Sequence, residues 1–233
     1  GLRGPHERGE GLWFGWPGSL AGLKPNARTE VLAALAERRF VPIELTQDQV
    51  DGYYAKFSNG VLWPVCHYML DRLPLETPDW AVYRTVNERF ADAIAAAFRP
   101  GDVIWVHDFH LMLLPELLRR RLPNARIGFF LHIPFPSSEV FRTLPWRSEL
   151  LRGLLGADLI GFHTLAYVRH FAASLLRLLG LEVEVDRVLV AGREVRLTAL
   201  PMGIDVAHFE ALAADPSLLA EAAQLRAARG AGR

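Results

Sequence analysis

Cysteine is nearly absent: the 233 residues hold one, Cys66, so no disulfide forms within the chain and a reducing compartment is expected. Its neighbours Val65 and His67 suit a buried, inert thiol better than a nucleophile. No unbroken apolar run reaches membrane-spanning length, and residues 1–11 lack the apolar middle of a signal peptide. A soluble cytoplasmic protein with no membrane partner is the expectation. Net charge is also missing, since 26 basic residues balance 26 acidic ones, and nothing electrostatic points to nucleic acid. No basic cluster interleaves with aromatics as a nucleic-acid surface requires. The P-loop, the serine nucleophile elbow and a complete dinucleotide glycine fingerprint are missing as well. There are no internal repeats.

What is present is apolar residues in the quantity a compact core needs, 51 % of the chain. Length allows one large domain, or one domain plus a piece of another. Residues 12–18 read as a short aromatic strand closed by a Pro-Gly turn, 29–39 as a helix and 40–45 as a strand. Thr46 and Gln49 form a capping-box pattern that starts a helix carrying Tyr53, Tyr54 and Phe57 and stopping at Asn59-Gly60. Residues 80–98 predict a helix whose Val82, Val86, Phe90, Ile94 and Ala97 share one face. Then strand and helix alternate: strand 102–107, helix 111–121 with Pro115 in its first turn, strand 127–131, helix 145–155, strand 158–162, and helix 165–179 ended by Gly180. That alternation predicts an α/β fold with a doubly wound, mostly parallel, Rossmann-like sheet. Segments 183–190 and 193–199 flank Ala191-Gly192 as a hairpin, and an Ala/Leu-rich helix follows from Val206. Residues 226–233 read as a frayed or cut tail. No phosphate-cradling strand and turn precede Leu12, and the last helix has no packing partner, so a piece of a larger protein is expected.

Two apolar strands each empty into ionisable residues, His107-Asp108-Phe109-His110 and His132-Ile133-Pro134. Ligands of open parallel sheets bind at the carboxyl ends of the strands, where a charged group meets a ligand without burial in the core. A metal reading of His107–His110 is weakened because a strand sends His107 and Asp108 to opposite faces. Asp108 is read either as a cap of the following helix or as an acceptor of hydrogen bonds from a polyhydroxylated ligand. His132 stands beside prolines that stiffen the loop, as a preorganised contact needs. His163, at the next strand end, is an open case, while His67 and His170 read as structural. Tyr54, Trp63 and Trp16, with Trp13, fit either a core or the apolar face of a sugar ring.

The segments LWFGWPG, YYAKFSNGVLWP, DVIWVHDFHLMLLPELLR, RIGFFLHIPFPSSEVFRTLP and LLGADLIGFHT, in that order and closed by PMGID, resemble the trehalose-6-phosphate synthase family over residues 12–205. That family more often has PIGID at the last position. The resemblance implies a retaining glycosyltransferase of the two-domain GT-B architecture, which moves glucose from UDP-glucose to glucose 6-phosphate in trehalose biosynthesis. It implies that residues 1–205 are the acceptor-side domain without its first strand, and that 206–233 begin the connection to a donor domain lying outside this sequence. The two cations for the UDP phosphates and the arginines for the acceptor phosphate are then expected outside it too, leaving the isolated chain inactive and a poor binder of UDP-glucose. Carried onto matching positions, Tyr54 and Asp108 contact glucose 6-phosphate, and Trp63 and His132 select the acceptor anomer and shape the donor-sugar site. Trp16 lies near the acceptor. Asp108 and His132 are the catalytic candidates, and neither a metal nor another cofactor is implied. A homo-oligomer is compatible with all of this. A non-catalytic sugar-phosphate sensor, a metal-dependent hydrolase at His107–His110, and a synthase using another nucleotide donor are the alternatives.

Overall fold

The computed structural model describes residues 9, 11–74 and 79–230. The chain divides into a large unit ending at Pro201 and a small one from Met202. The small unit holds two consecutive helices, Val206–Ala214 and Pro216–Ala228, capped by the side chains of Asp205 and Asp215.

The large unit is built on a five-stranded sheet in the order β3-β4-β5-β7-β6. Its strands are β3 (Val103–His107), β4 (Arg126–Phe130), β5 (Leu159–Phe162), β6 (Arg187–Val190) and β7 (Arg193–Ala199). β3, β4, β5 and β7 run parallel, and β6 returns antiparallel to β7. The hairpin turns on Ala191 and Gly192, both with positive φ, 48° and 81°. A separate pair, β1 (Trp13–Gly15) and β2 (Phe40–Pro42), is also parallel. Helices Leu114–Arg121, Arg147–Leu154 and Leu165–Leu179 connect the parallel strands, and Gly180 closes the last of them in the left-handed conformation at φ 69°. The wound α/β architecture expected from the alternation is therefore present.

β4 and β5 bury Ile127, Phe129, Ile160 and Phe162 almost completely. Each such side chain contributes about 1.5–3 kcal/mol of transfer free energy. β3 differs: Ile104 and Val106 are buried, but Val103 and Trp105 are 63 % and 56 % exposed. Among the described residues β3 is an edge strand with one open face.

Three sequence expectations need correction. The helix begun by the Thr46–Gln49 capping box does not stop at Asn59-Gly60 but continues to Cys66. From Val50 to Leu62 its hydrogen bonds run i to i+5, a wide π-helix, and the Trp63 N–H still donates to Ser58 O. The wide turn accommodates Asn59, whose Nδ2 donates to Tyr54 O at 3.0 Å. The strand expected over 40–45 is only three residues long. The third correction concerns helix Trp80–Ala97, whose buried face runs through Tyr83, Val86, Asn87, Phe90, Ala91 and Ile94, with Val82 and Ala97 at its margin.

The π-helix is pinned against that long helix. Phe57 meets Tyr83 at 4.6 Å and Trp146 at 5.1 Å between ring centroids, and Trp80 stacks on Trp146 at 5.2 Å. Gly52 permits the close approach, because a Cβ there would stand 3.0–3.1 Å from three carbons of Val82. The cluster fixes the turn that carries Tyr53 and Tyr54.

Candidate active site

The parallel register places His107 beside Phe130, and Phe130 beside Gly161. The residues just past each strand therefore emerge along one edge of the sheet, and they meet. Asp108 N–H donates to Phe130 O at 2.8 Å, extending the ladder by one step. The Asp108 carboxylate then turns back, and its Oδ1 accepts the His132 backbone N–H at 3.1 Å. The imidazoles of His107 and His132 are joined through Nδ1 and Nε2 at 3.0 Å. His163 Nε2 lies 3.2 Å from His132 O, as donor. Asp108 thus does not cap the helix that follows; its carboxylate ties two strand ends together. Among the described residues its other oxygen carries no hydrogen bond.

This arrangement strains the backbone. Asp108 stands at φ 71°, ψ 171°, a region otherwise left to glycine and costing about 1–3 kcal/mol for other residues. Surrounding groups over-determine it. The Tyr83 hydroxyl, wholly buried, donates to Phe109 O at 2.8 Å and accepts from Met112 N at 3.0 Å. Asn87 Nδ2 donates to His110 O at 3.1 Å and to Tyr83 O at 2.9 Å. Sequence reasoning missed this pair. The signal was there, Tyr83 and Asn87 being four apart and in phase with Phe90 and Ile94, but a buried asparagine breaks the apolar pattern.

An aromatic wall stands over the turn. Tyr54, 45 % exposed, stacks on His110 at 5.3 Å with 11° between planes, and Trp16 approaches Tyr54 at 6.2 Å. Trp16 and Tyr54 thus meet the turn at His110, two residues beyond Asp108, which holds His132. Trp63 is set apart: its ring stacks on His67 at 3.9 Å, and no contact described joins it to Asp108 or His132. Its helical turn still lies within electrostatic reach, because Asp108 helps to raise the Cys66 thiol pKa.

Burial, then Asp108, push the Cys66 thiol far above its usual range, which keeps it protonated. Burial holds His107 down at about 4, with the neighbouring His132 charge adding to the effect. His132 and His110 are lowered by burial too, with Asp108 pulling the other way. All three rings are neutral near pH 7, suited to directed hydrogen bonding rather than to charge. His67 and His170 bond through Nδ1 to the carbonyls of Trp63 and Phe135, structural partnerships as expected. Among the described residues no three His, Cys, Asp or Glu side chains converge as metal ligands. A cavity of about 1170 Å³ opens along the β3 edge between Trp13, Phe90, Trp105, His107 and His110, and takes in none of Tyr54, Trp63, Asp108 or His132.

The sequence model described as glycosyltransferase family 20 matches residues 2–232. The chain belongs to this family. A family 20 relative, the UDP-forming α,α-trehalose-phosphate synthase of Pichia angusta, is 44 % identical over 214 residues, 90 % of this chain and 44 % of its own. The N-terminal domain of Candida albicans trehalose-6-phosphate phosphatase superposes with a TM-score of 0.81 at 39 % identity, over 91 % of this chain and 46 % of that one. The UDP-forming synthase of Burkholderia xenovorans in complex with glucose-6-phosphate gives 0.76 at 32 % identity, over 93 % and 49 %. The chain spans about half the length of these proteins, and its fold is that of one half of the GT-B architecture. No helix among the described residues is long and apolar enough to cross a membrane.

Proposed function

We propose that this chain supplies the acceptor side of a retaining glucosyltransferase that transfers glucose from UDP-glucose to glucose 6-phosphate, giving α,α-trehalose 6-phosphate and UDP. Residues 1–205 form the acceptor-side domain, and 206–233 begin the link to a donor-binding half. The observation that carries the reading is the strained Asp108 turn, with one carboxylate oxygen committed to His132 N–H, the other without a hydrogen bond among the described residues, and Tyr54 stacked on His110 two residues along. A carboxylate accepts hydrogen bonds from sugar hydroxyls, and backbone strain persists where the site requires it.

Within that reading Asp108 and Tyr54 hold glucose 6-phosphate, with Trp16 beside them, while His132 and Trp63 line the donor sugar and discriminate the anomer. The acceptor hydroxyl oxygen bonds to the donor anomeric carbon on the face the nucleotide leaves. The bond from that carbon to the UDP oxygen breaks, and the departing phosphate oxygen takes the hydroxyl proton. Asp108 orients the acceptor and is not the base. The aromatic wall excludes water that would otherwise hydrolyse the donor. The work is done in the cytoplasm by neutral imidazoles and one carboxylate.

The test is steady-state kinetics of the intact protein that contains this chain. Asp108→Asn is expected to raise the KM for glucose 6-phosphate and lower kcat together; unchanged constants would remove Asp108 from the site. A second reading, a non-catalytic sugar-phosphate sensor, is favoured by the likeness to a phosphatase N-terminal domain. Calorimetry separates the two: a sensor binds glucose 6-phosphate without UDP and shows no turnover.

A further inference from the structure

His107 and His132 face one another across the β3–β4 pair, with Nδ1 of the first 3.0 Å from Nε2 of the second. Two neutral imidazoles at that separation share one proton on the line between them, so the tautomer of one dictates that of the other. The Asp108 carboxylate sits on the His132 backbone N–H. Nδ1 of an imidazole lies nearer its own backbone than Nε2 does, so the negative charge favours the proton on His132 Nδ1. Nε2 is then the acceptor, and the hydrogen bond runs from His107 Nδ1–H to His132 Nε2. The His107 ring is itself braced, 4.3 Å from Trp105 and stacked at 6.4 Å on Trp13. A braced donor behind a histidine fixes both its ring plane and its proton.

We propose that His107 is a positioning residue: it donates Nδ1–H to Nε2 of His132 and locks His132 as the Nδ1–H tautomer, a hydrogen-bond donor toward a sugar oxygen. The role as a sugar-facing donor rests on the transferase reading above; the tautomer itself does not. His163 does not compete for the bond, because its Nε2 donates to the His132 carbonyl and its ring meets the His132 ring only edge-on, at 6.0 Å between centroids. His107 touches no ligand in this arrangement and acts only through its partner.

Two measurements decide the matter. The first is nitrogen-15 NMR of histidine-labelled protein above pH 7, in which one-bond and ring couplings report which nitrogen bears the proton. His132 is expected as the Nδ1–H form, and to lose that preference in His107→Leu. A wild-type His132 protonated at Nε2, or a tautomer indifferent to His107→Leu, overturns the proposal. The second is kinetics of the intact transferase. Loss of one directed hydrogen bond in His107→Leu is expected to lower kcat about tenfold with the KM for glucose 6-phosphate changed less than about twofold. His107→Asn, whose Nδ2 amide stands where Nδ1 did and can still donate to Nε2 of His132, is expected to recover most of the rate. Equal rates for His107→Leu and wild type, or no recovery by His107→Asn in a protein that retains its fold, overturn the positioning role. If the intact protein shows no transfer at all, the transferase reading fails, and the NMR result alone supports or refutes the locked pair.

Discussion

The His132 backbone N–H donates to Asp108 Oδ1 at 3.1 Å, so the ends of two parallel strands are held by a side chain and not by the ladder alone. That bond links the strained turn at Asp108 to the start of the 132–136 loop. Its consequences can be measured.

Asp108→Gly and Asp108→Ala separate strain from hydrogen bonding. Both lose the bond to His132, but only glycine accepts φ 71° without penalty. Asp108→Gly is expected to be the more stable of the two by about 1–2 kcal/mol in urea unfolding, while both lose transferase activity. Equal stabilities would mean that the backbone at this position is relaxed.

Tyr83→Phe removes one oxygen from a wholly buried site and leaves Phe109 O and Met112 N–H without their partner. The expected loss is about 1–3 kcal/mol of stability, and kcat is expected to fall although Tyr83 meets no substrate. A drop in stability with kcat intact would show that the turn keeps its shape unaided.

Gly52→Ala places a methyl carbon 3.0–3.1 Å from three Val82 carbons and pushes the π-helix away from the long helix. Overpacking of this kind costs about 1–3 kcal/mol. The double variant Gly52→Ala/Val82→Ala is expected to regain part of that loss. If the second substitution only adds to the damage, the two helices are held by other contacts.

Acid is expected to destabilise the protein through its histidines. Burial lowers His107 to about 4 from an ordinary 6.5, and lowers His110 and His132 as well, with Asp108 opposing at the latter two. Below pH 6.5 the unfolded chain therefore binds protons that the folded chain refuses. Stability falls as pH drops from 6.5 toward 4 and does not change with these groups above 6.5. Urea midpoints across that range are expected to show a shallower fall in His107→Gln than in wild type.

Most of the fold was legible because the apolar periods were clean. Gly180, Pro115 and the Ala191-Gly192 turn marked real boundaries. The strand ends were also legible as a meeting point of ionisable residues, and Asp108, His132 and His163 do meet there, while the cavity described lies along β3 and takes in none of the three. The π-helix was not, since Asn59-Gly60 is a stop signal for an α-helix and nothing local announces i to i+5 bonding. Asn87 was hidden for a related reason: its burial is explained only by the carbonyls of Tyr83 and His110, the latter 23 residues away. The His107–His132 pair likewise depends on β3–β4 register, which the sequence specifies only once the partner strand is known. Trp63 marks the opposite limit, because the family motif named it while its neighbour in space is His67.

The most direct test is a crystal structure of the intact protein with glucose 6-phosphate and UDP. The expected result puts a hydroxyl of the sugar within hydrogen-bond distance of the Asp108 carboxylate and the Tyr54 hydroxyl on the same molecule, with the His132–Asp108 bond kept. Glucose 6-phosphate seated elsewhere, with the Asp108 turn bare and unchanged, would contradict it.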